Sequence, residues 1–439
     1  MTEQRTSIFT HTRGIILCLL LITQGSFANA DDDWPRFRGL AGNASASEPT
    51  PTTWSDSENL VWKTRLPGRG ASSPIIVGNK IFLTSFTGYG QANDDPGEKT
   101  ELRLNTLCFD RVTGELIWNK SIEGNSEEQS LSNNNSKRGK PKQVAGHGFA
   151  SGTPCCDGKT VFAFFGASGA VAYDLDGQEL WHNDELGTGT TGFGSASSPV
   201  EHENLVYINA SIESDTLYAL DKSTGKIVWK KDDVIKCWSS PCLAKNNRGE
   251  TELIINQKFK VLGLDPQTGE QIWSCEGIED YVVPTPISHQ GIIYCLGGRS
   301  NKAMAIKLGG SGDVTQSHRL WITNIGANVT SPVLHDGHLY WASDKGIANC
   351  LDASNGEPVY RERMPTKARV YGSIVRSSDK LYLTTRDSGV WVLPAKPEFK
   401  VLALNTFDSE KGMFNASPAI SHSQILMRTD NFLYCVGQN

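Results

Sequence analysis

A short unit, seen most clearly at residues 217–229, recurs along this chain and constrains its fold more than any other feature. In that unit an apolar run ends at Asp221, Gly225 supplies the positive φ of a tight turn, and a second apolar run ends at Trp229. This order predicts a β-hairpin with an indole at its far end. Four more copies keep both the aspartate and the turn glycine, at Asp110 and Gly114, Asp174 and Gly177, Asp265 and Gly269, and Asp352 and Gly356. Such repetition indicates an array of identical structural units.

A second element, a serine or threonine followed by proline, precedes each hairpin. From Pro154 onward the prolines fall every 42 to 46 residues wherever both are present, which is the length of one four-stranded propeller blade. Eight anchors occur, and the seventh lacks the proline: Ser73-Pro74, Thr153-Pro154, Ser198-Pro199, Ser240-Pro241, Thr285-Pro286, Ser331-Pro332, Tyr371 to Ile374, and Ser417-Pro418. The sequence therefore predicts an all-β fold, an eight-bladed β-propeller of four-stranded antiparallel blades.

The last repeat is incomplete, and the start of the chain offers the missing piece. Residues 414–436 supply three strands but no closing indole strand, whereas residues 59–63 read as a lone indole strand with no hairpin before it. We expect the N-terminal strand to join the C-terminal blade, which closes the ring and removes an exposed sheet edge.

The first thirty residues are typical of a secretory signal peptide. Arg5 and Arg13 precede the apolar run 14–22, and small residues end at Ala30. We expect cleavage near Ala30 and a periplasmic or secreted protein without a transmembrane segment. An N-terminal extension, 31–56, would then precede the propeller, 57–439, in which a polar insertion at about 121–146 is predicted to be flexible.

Charge and cysteine content narrow the remaining possibilities. The net charge of −6 argues against nucleic acid as a partner, because phosphate binding needs a basic surface. Of the ten cysteines, most lie in strand-like apolar runs and are expected to act as compact hydrophobes. The adjacent Cys155 and Cys156 could form a vicinal disulfide at a turn or remain two thiols.

The indoles of the repeat are expected to pack between adjacent blades. Each buries about 150–250 Å² of surface, so together they would rival the net stability of a domain. This structural role is predicted for Trp62, Trp118, Trp181, Trp229, Trp273 and Trp321.

The repeat Ala219-Leu-Asp-x-x-Thr-Gly-x-x-x-Trp229 resembles the tryptophan-docking repeat of the pyrroloquinoline-quinone-like β-propellers. The resemblance covers nearly the whole chain after residue 30. That family includes quinone-dependent alcohol dehydrogenases and also non-catalytic propellers such as the barrel-assembly lipoprotein of outer membranes. The opening, Trp34 to Gly39, is similar to that of exported, non-dehydrogenase members.

The resemblance favours a binding or scaffold protein over an enzyme. In the dehydrogenases a vicinal disulfide lies over the quinone, but here Cys155 and Cys156 follow Thr153-Pro154, which places them nearer the opposite end of the strand. No haem motif, nucleophile elbow, zinc spacing or phosphate loop occurs, so no catalytic residue, metal or cofactor is predicted. A dehydrogenase that uses pyrroloquinoline quinone with calcium remains the alternative, and a hydrolase or lyase with Asp280 as a carboxylate is a third possibility.

A propeller presents a ring of loops at the mouth of its channel, and residues just before each serine or threonine anchor are expected there. Aromatic, cationic and hydrogen-bonding groups at these positions predict a site for a protein, peptide or small ligand. The leading candidates are Arg69, His147, Phe149, Lys236, Trp238, Tyr281, Arg369 and Tyr371, with Phe193, Asp280, Asn328, Phe414 and Asn415 beside them.

Overall fold

The computed structural model describes residues 1–2, 33–92, 96–125, 148–189, 193–366, 369–408 and 412–438. Most of the predicted signal peptide, most of the polar insertion and His147 lie outside the described residues. Eight sheets surround a central channel, and each is built on four antiparallel strands. In blades 1 to 7 these strands run in sequence order from the channel outward, and two of these blades add a short parallel strand. The predicted eight-bladed propeller is confirmed.

The first four blades are built from consecutive strands. In each of these blades a single proline separates the serine or threonine anchor from the first residue of the inner strand. The strands of blades 1 to 4 are, in order, Ile75–Val77, Lys80–Thr87, Arg103–Asp110 and Leu116–Glu123; Cys155–Cys156, Thr160–Phe164, Ala170–Asp174 and Glu179–Asn183; Val200–His202, Leu205–Ala210, Thr216–Asp221 and Ile227–Asp232; and Cys242–Lys245, Thr251–Asn256, Lys260–Leu264 and Gln271–Glu276.

Blades 5 to 7 repeat this plan, and blade 8 takes its outer strand from the N-terminal part of the chain. Their strands are Ile287–His289, Ile292–Gly297, Lys302–Lys307 and Arg319–Thr323; Val333–His335, His338–Ala342, Ile347–Asp352 and Pro358–Arg363; Val375–Ser377, Lys380–Thr384, Val390–Pro394 and Ala403–Asn405; and Ala419–Ser421, Gln424–Arg428, Phe432–Val436 and Leu60–Arg65. Short helical turns lie at Lys99–Glu101, Gly166–Ser168, Ser211–Ser214 and Thr315–His318.

The ring closes as the sequence predicts. Strand Leu60–Arg65 pairs antiparallel with Phe432–Val436, and Trp62 lies opposite Cys435. Because the first strand of the propeller completes the last blade, the third strand of blade 8 is not left as a free edge.

The recurring hairpin turn forms because the aspartate satisfies the amides that follow it. Asp221 accepts hydrogen bonds at Oδ1 from the backbone amides of Ser223 and Thr224, at 3.1 and 2.9 Å. Gly225 then adopts a φ of +70°, a region that L-residues with a Cβ disfavour. The indole of Trp181, from blade 2, packs on this glycine and donates from Nε1 to the carbonyl of Lys222 at 2.8 Å.

Most of the indoles dock on the following blade in this way. The pairs of glycine and indole in contact are Gly114 with Trp62, Gly177 with Trp118, Gly225 with Trp181, Gly269 with Trp229, and Gly356 with Trp321. The predicted packing of these five indoles between blades is confirmed, and it explains why turn and tryptophan recur together.

Trp273 is bonded differently, because blade 5 lacks the aspartate and glycine turn that would receive it. Its Nε1 donates to Glu252 Oε2 at 2.7 Å within its own blade, and the other oxygen of this buried carboxylate accepts from Asn246 at 2.8 Å. In place of the missing turn, Gly312–Asp313 pairs parallel with the outer strand of blade 4. Where blade 5 lacks the turn, a buried carboxylate thus binds the indole and a fifth strand joins the sheet of blade 4.

The N-terminal extension is ordered and crosses one end of the channel. Trp34 forms an isolated antiparallel β-bridge with Ile76 of blade 1, and Ser45–Ala46 pairs parallel with Val375–Ser377 of blade 7. Between them the buried Arg38 donates to the carbonyl of Pro332 in blade 6. Each of these partners follows the serine or threonine of its blade, so the extension lies at the end of the channel opposite the residues that precede those anchors.

Candidate ligand site in the central channel

The central channel contains a cavity of about 710 Å³. Its wall is formed by small and hydroxyl side chains at the anchors that lead into the inner strands, and its rim by larger side chains from the loops before them. Phe37, from the N-terminal extension, also lines the cavity and a second, smaller one at the opposite end. The aromatic ring of Phe37 therefore narrows the far end of the channel, and the loop end is the mouth.

The structure brings about half of the leading candidates into this cavity. Lys236, Trp238, Tyr281 and Tyr371 line it. So do four of the residues predicted beside them, namely Phe193, Asp280, Asn328 and Asn415.

The other described candidates do not line the cavity, and each has a physical reason. Arg69 forms an ion pair with Asp430, with 3.2 Å between Nη2 and Oδ2. Burial raises the pKa of Asp430, and the Arg69 guanidinium offsets part of this rise. Phe149 is buried against Phe86, with ring centroids 5.3 Å apart. Arg369 is exposed and contributes its carbonyl to a bond with the amide of Arg386. Phe414 is buried beside Tyr434.

Two aromatic side chains form a fixed corner of the mouth. The rings of Trp238 and Tyr281 meet edge to face, with centroids 5.8 Å apart. Trp238 Nε1 donates to the carbonyl of Gly194 at 2.9 Å, and the Tyr281 hydroxyl donates to Asn328 Oδ1 at 2.8 Å. Because both polar ends are held by the protein, the apolar faces are oriented before any ligand arrives.

The same side of the mouth is positively charged. Lys236, Lys258 and Arg299 line the cavity, and Asp280 is the one carboxylate among its described lining residues. Asp280 already accepts bonds from the backbone amides of Tyr281 and Arg299, at 2.8 and 3.0 Å. The sequence reasoning missed Lys258 and Arg299, which lie in the turns between the second and third strands of blades 4 and 5.

The wall of the cavity carries a closed ring of hydrogen bonds that joins all eight blades. The backbone amide of each anchor residue donates to the hydroxyl oxygen of the anchor in the next blade, at 2.8 to 3.2 Å. We call these eight side chains the hydroxyl ring: Ser73, Thr153, Ser198, Ser240, Thr285, Ser331, Ser373 and Ser417.

The adjacent cysteines lie away from the mouth. They form the inner strand of blade 2, and the amide of Cys156 donates to the carbonyl of Pro35 in the extension at 2.8 Å. Both thiols are free and buried, and burial raises the pKa of Cys156 to about 12. The pair therefore takes no part in the lining of the cavity.

Comparison with known proteins identifies the repeat. The family model described as outer membrane protein assembly factor BamB matches residues 103–362, which is more than half of the chain. The chain belongs to this family. No curated protein matches this chain.

Solved structures of this family and of its relatives share the fold at low sequence identity. BamB from Moraxella catarrhalis is 14% identical with a TM-score of 0.59, over 86% of this chain and 96% of that one. Quinohemoprotein alcohol dehydrogenase from Comamonas testosteroni is 10% identical with a TM-score of 0.62, over 94% and 81%. The computationally designed Ika8 protein is 12% identical with a TM-score of 0.55, over 85% and 98%. The solved structures share the β-propeller fold, and together with the family match over residues 103–362 they support a pyrroloquinoline-quinone-like β-propeller.

The described residues contain neither a metal-binding cluster nor a membrane-spanning helix. No group of three or more histidine, cysteine, aspartate or glutamate side chains is placed to hold a metal ion there. No helix in the same part of the chain has the length and hydropathy to cross a membrane.

Proposed function

We propose that this chain is an exported, non-catalytic binding propeller that holds a ligand in the mouth of its central channel. The observation that carries the proposal is the cavity of about 710 Å³, narrowed at its far end by Phe37 and rimmed by oriented aromatic and charged side chains. This volume lies within the range of about 300–1,000 Å³ that is typical of small-molecule sites. A small ligand, or the end of an extended peptide, fits such a pocket.

The family supports a binding role. Its model is described by the name of an assembly factor, and one similar structure, from Moraxella catarrhalis, carries the same name. The signal-like segment 1–30 supports export, and the acidic composition of the chain argues against a nucleic-acid partner. N-terminal sequencing of the protein recovered from the periplasm or medium would test export, with a new terminus near residue 31 expected.

The binding proposal is tested by screening ligands against the full chain and a mouth variant. Native mass spectrometry of a mixed library of neutral and charged small molecules should detect a ligand for the wild-type protein. Trp238→Ala should lose that ligand, while Trp54→Phe, at a buried site remote from the cavity lining, should retain it. Equal retention by both variants would exclude the mouth as the binding site.

Quinone-dependent dehydrogenation is the second candidate, because the Comamonas testosteroni enzyme has the same fold over 94% of this chain. The lining residues favour binding over this chemistry. Calcium takes six to eight oxygen ligands, including several carboxylates, whereas the mouth offers Asp280, which already accepts two backbone bonds. We expect no quinone absorbance shift and no dye reduction with alcohols or sugars after pyrroloquinoline quinone and calcium are added, and either signal would favour the enzyme.

A further inference from the structure

The hydroxyl ring contains donors that the protein itself leaves unused. Each hydroxyl oxygen accepts one amide hydrogen bond from the neighbouring blade, which fixes its position. Within the described part of the chain, none of the eight O–H groups donates a hydrogen bond to a protein acceptor. All eight side chains are at least nine-tenths buried. Buried donors normally have partners, so the cavity must supply them.

The donors have the polarity that suits an anion. A hydroxyl whose oxygen already accepts a hydrogen bond becomes a better donor through its own proton. Lys236, Lys258 and Arg299 lie on the side of the mouth formed by blades 4 and 5, whose anchors are Ser240 and Thr285. No carboxylate of the described residues lies within 4 Å of either lysine. The three cationic side chains outnumber Asp280, the one carboxylate among the described lining residues, so the entrance favours an anion over a cation.

We propose that the hydroxyls of Ser240 and Thr285, which we call the hydroxyl arc, bind the oxyanion group of a small ligand. This group is a carboxylate, sulfate or phosphate, and the apolar part of the same ligand packs on Trp238 and Tyr281. The inference rests on the proposed function and specifies the class of ligand. Neighbouring hydroxyls at Ser240 and Thr285 donate to the anionic oxygens, and the lysines offset the charge at the mouth.

The experiment measures binding of four probes to the full chain by isothermal titration calorimetry. Benzoate, phenyl sulfate and phenyl phosphate carry the three oxyanions on one ring, and benzyl alcohol is the neutral comparison. We expect at least one anion to bind about tenfold more tightly than benzyl alcohol, since bonds to charged groups exceed neutral ones by at least this factor. The order among the three anions identifies the preferred oxyanion.

Two matched variants locate the anion. Thr285→Val and Thr153→Val are isosteric, and each removes the acceptor of one neighbouring amide, from Ser240 and Ser73 respectively. Their effects on folding should therefore be similar. We expect Thr285→Val to weaken the anion about tenfold, Thr285→Ser to restore it, and Thr153→Val, three blades away, to leave it unchanged.

The outcomes separate this inference from the function on which it rests. Anion binding that is equal in Thr285→Val and in the wild type would overturn the hydroxyl arc as the site. The oxyanion class would be overturned if the protein bound benzyl alcohol as tightly as the anions. It would also be overturned if the protein bound a ligand from the library but none of the anions. In both cases the mouth would remain a binding site. Failure of both the library and the probes would overturn the proposed function. A crystal soaked in the tightest-binding of the three anions that shows only water on the hydroxyl ring would overturn the inference.

Discussion

Replacement of Gly225 by alanine tests whether the turns and the indoles hold the blades together. A Cβ at Gly225 would lie 2.5 Å from Cδ2 and Cε3 of Trp181, and the residue has a φ of +70°. The left-handed backbone costs an L-residue about 1–2 kcal/mol. Overpacking against a buried side chain costs about 1–3 kcal/mol more. We therefore expect Gly225→Ala to lower the free energy of unfolding by about 2–5 kcal/mol.

Gly337→Ala is the matched control for the backbone contribution. Gly337 has a φ of +73°, and a Cβ there would meet nothing within 4 Å. Its substitution should cost only the backbone part, about 1–2 kcal/mol. The difference between the two variants, about 1–3 kcal/mol, isolates contact with the indole.

The assay is urea-induced unfolding followed by tryptophan fluorescence and by circular dichroism, with coincident transitions required before free energies are compared. Repeating both substitutions in a Trp181→Ala background should remove their difference, since the indole that collides with the new methyl group is gone. Equal destabilisation of the two single variants would refute the reasoning. A difference that survives the loss of Trp181 would refute it as well.

Three further outcomes are expected. A chain that starts at Arg65 lacks most of the strand that pairs with Phe432–Val436, so we expect it to elute as an aggregate on size-exclusion chromatography. A chain that starts at Asp33 keeps this strand and should elute as a single species. Equal elution of the two chains would argue against the ring closure. The side-chain bonds from Ser223 and Ser354 lower the pKa values of Asp221 and Asp352 below 3.8, so their stabilisation is present above about pH 4 and is lost as pH falls through the folded pKa values. The double substitution Asp221→Asn with Asp352→Asn should thus lower the melting temperature at pH 7, and by progressively less as the pH falls below 3.8. Asp184→Asn, at an exposed site, should leave the melting temperature unchanged across this range, and a pH-independent difference between the double variant and the wild type would contradict the reasoning. Cys155 and Cys156 should be unreactive with Ellman's reagent in the native protein and should react in guanidinium, and fast native reaction would contradict their burial.

The repeat made the fold predictable, because both of its elements have a local physical cause. Asp221 and Gly225 build a turn that only a few residue types allow, and Trp181 needs that turn as its docking surface. The exception at Trp273 was not foreseen, since the partner that replaces the turn is Glu252, a residue outside the repeat pattern.

The site was predictable only where the repeat dictates position. Trp238 and Tyr281 precede an anchor and lie in the mouth as expected, whereas Arg69 stands at an equivalent place and is drawn to Asp430. Lys258 and Arg299 could have been found, because alternate turns of an antiparallel blade lie at the same end. No periodic signal points to Phe37, since it belongs to the extension.

The pairing of the first propeller strand with the last has a consequence for biogenesis. Residues 60–65 are synthesised long before residues 432–436, with which they pair, so the ring cannot close until residue 436 has been made. Before closure, the edge strands of the first and last blades have no partner, and unpaired strand edges favour association with other chains.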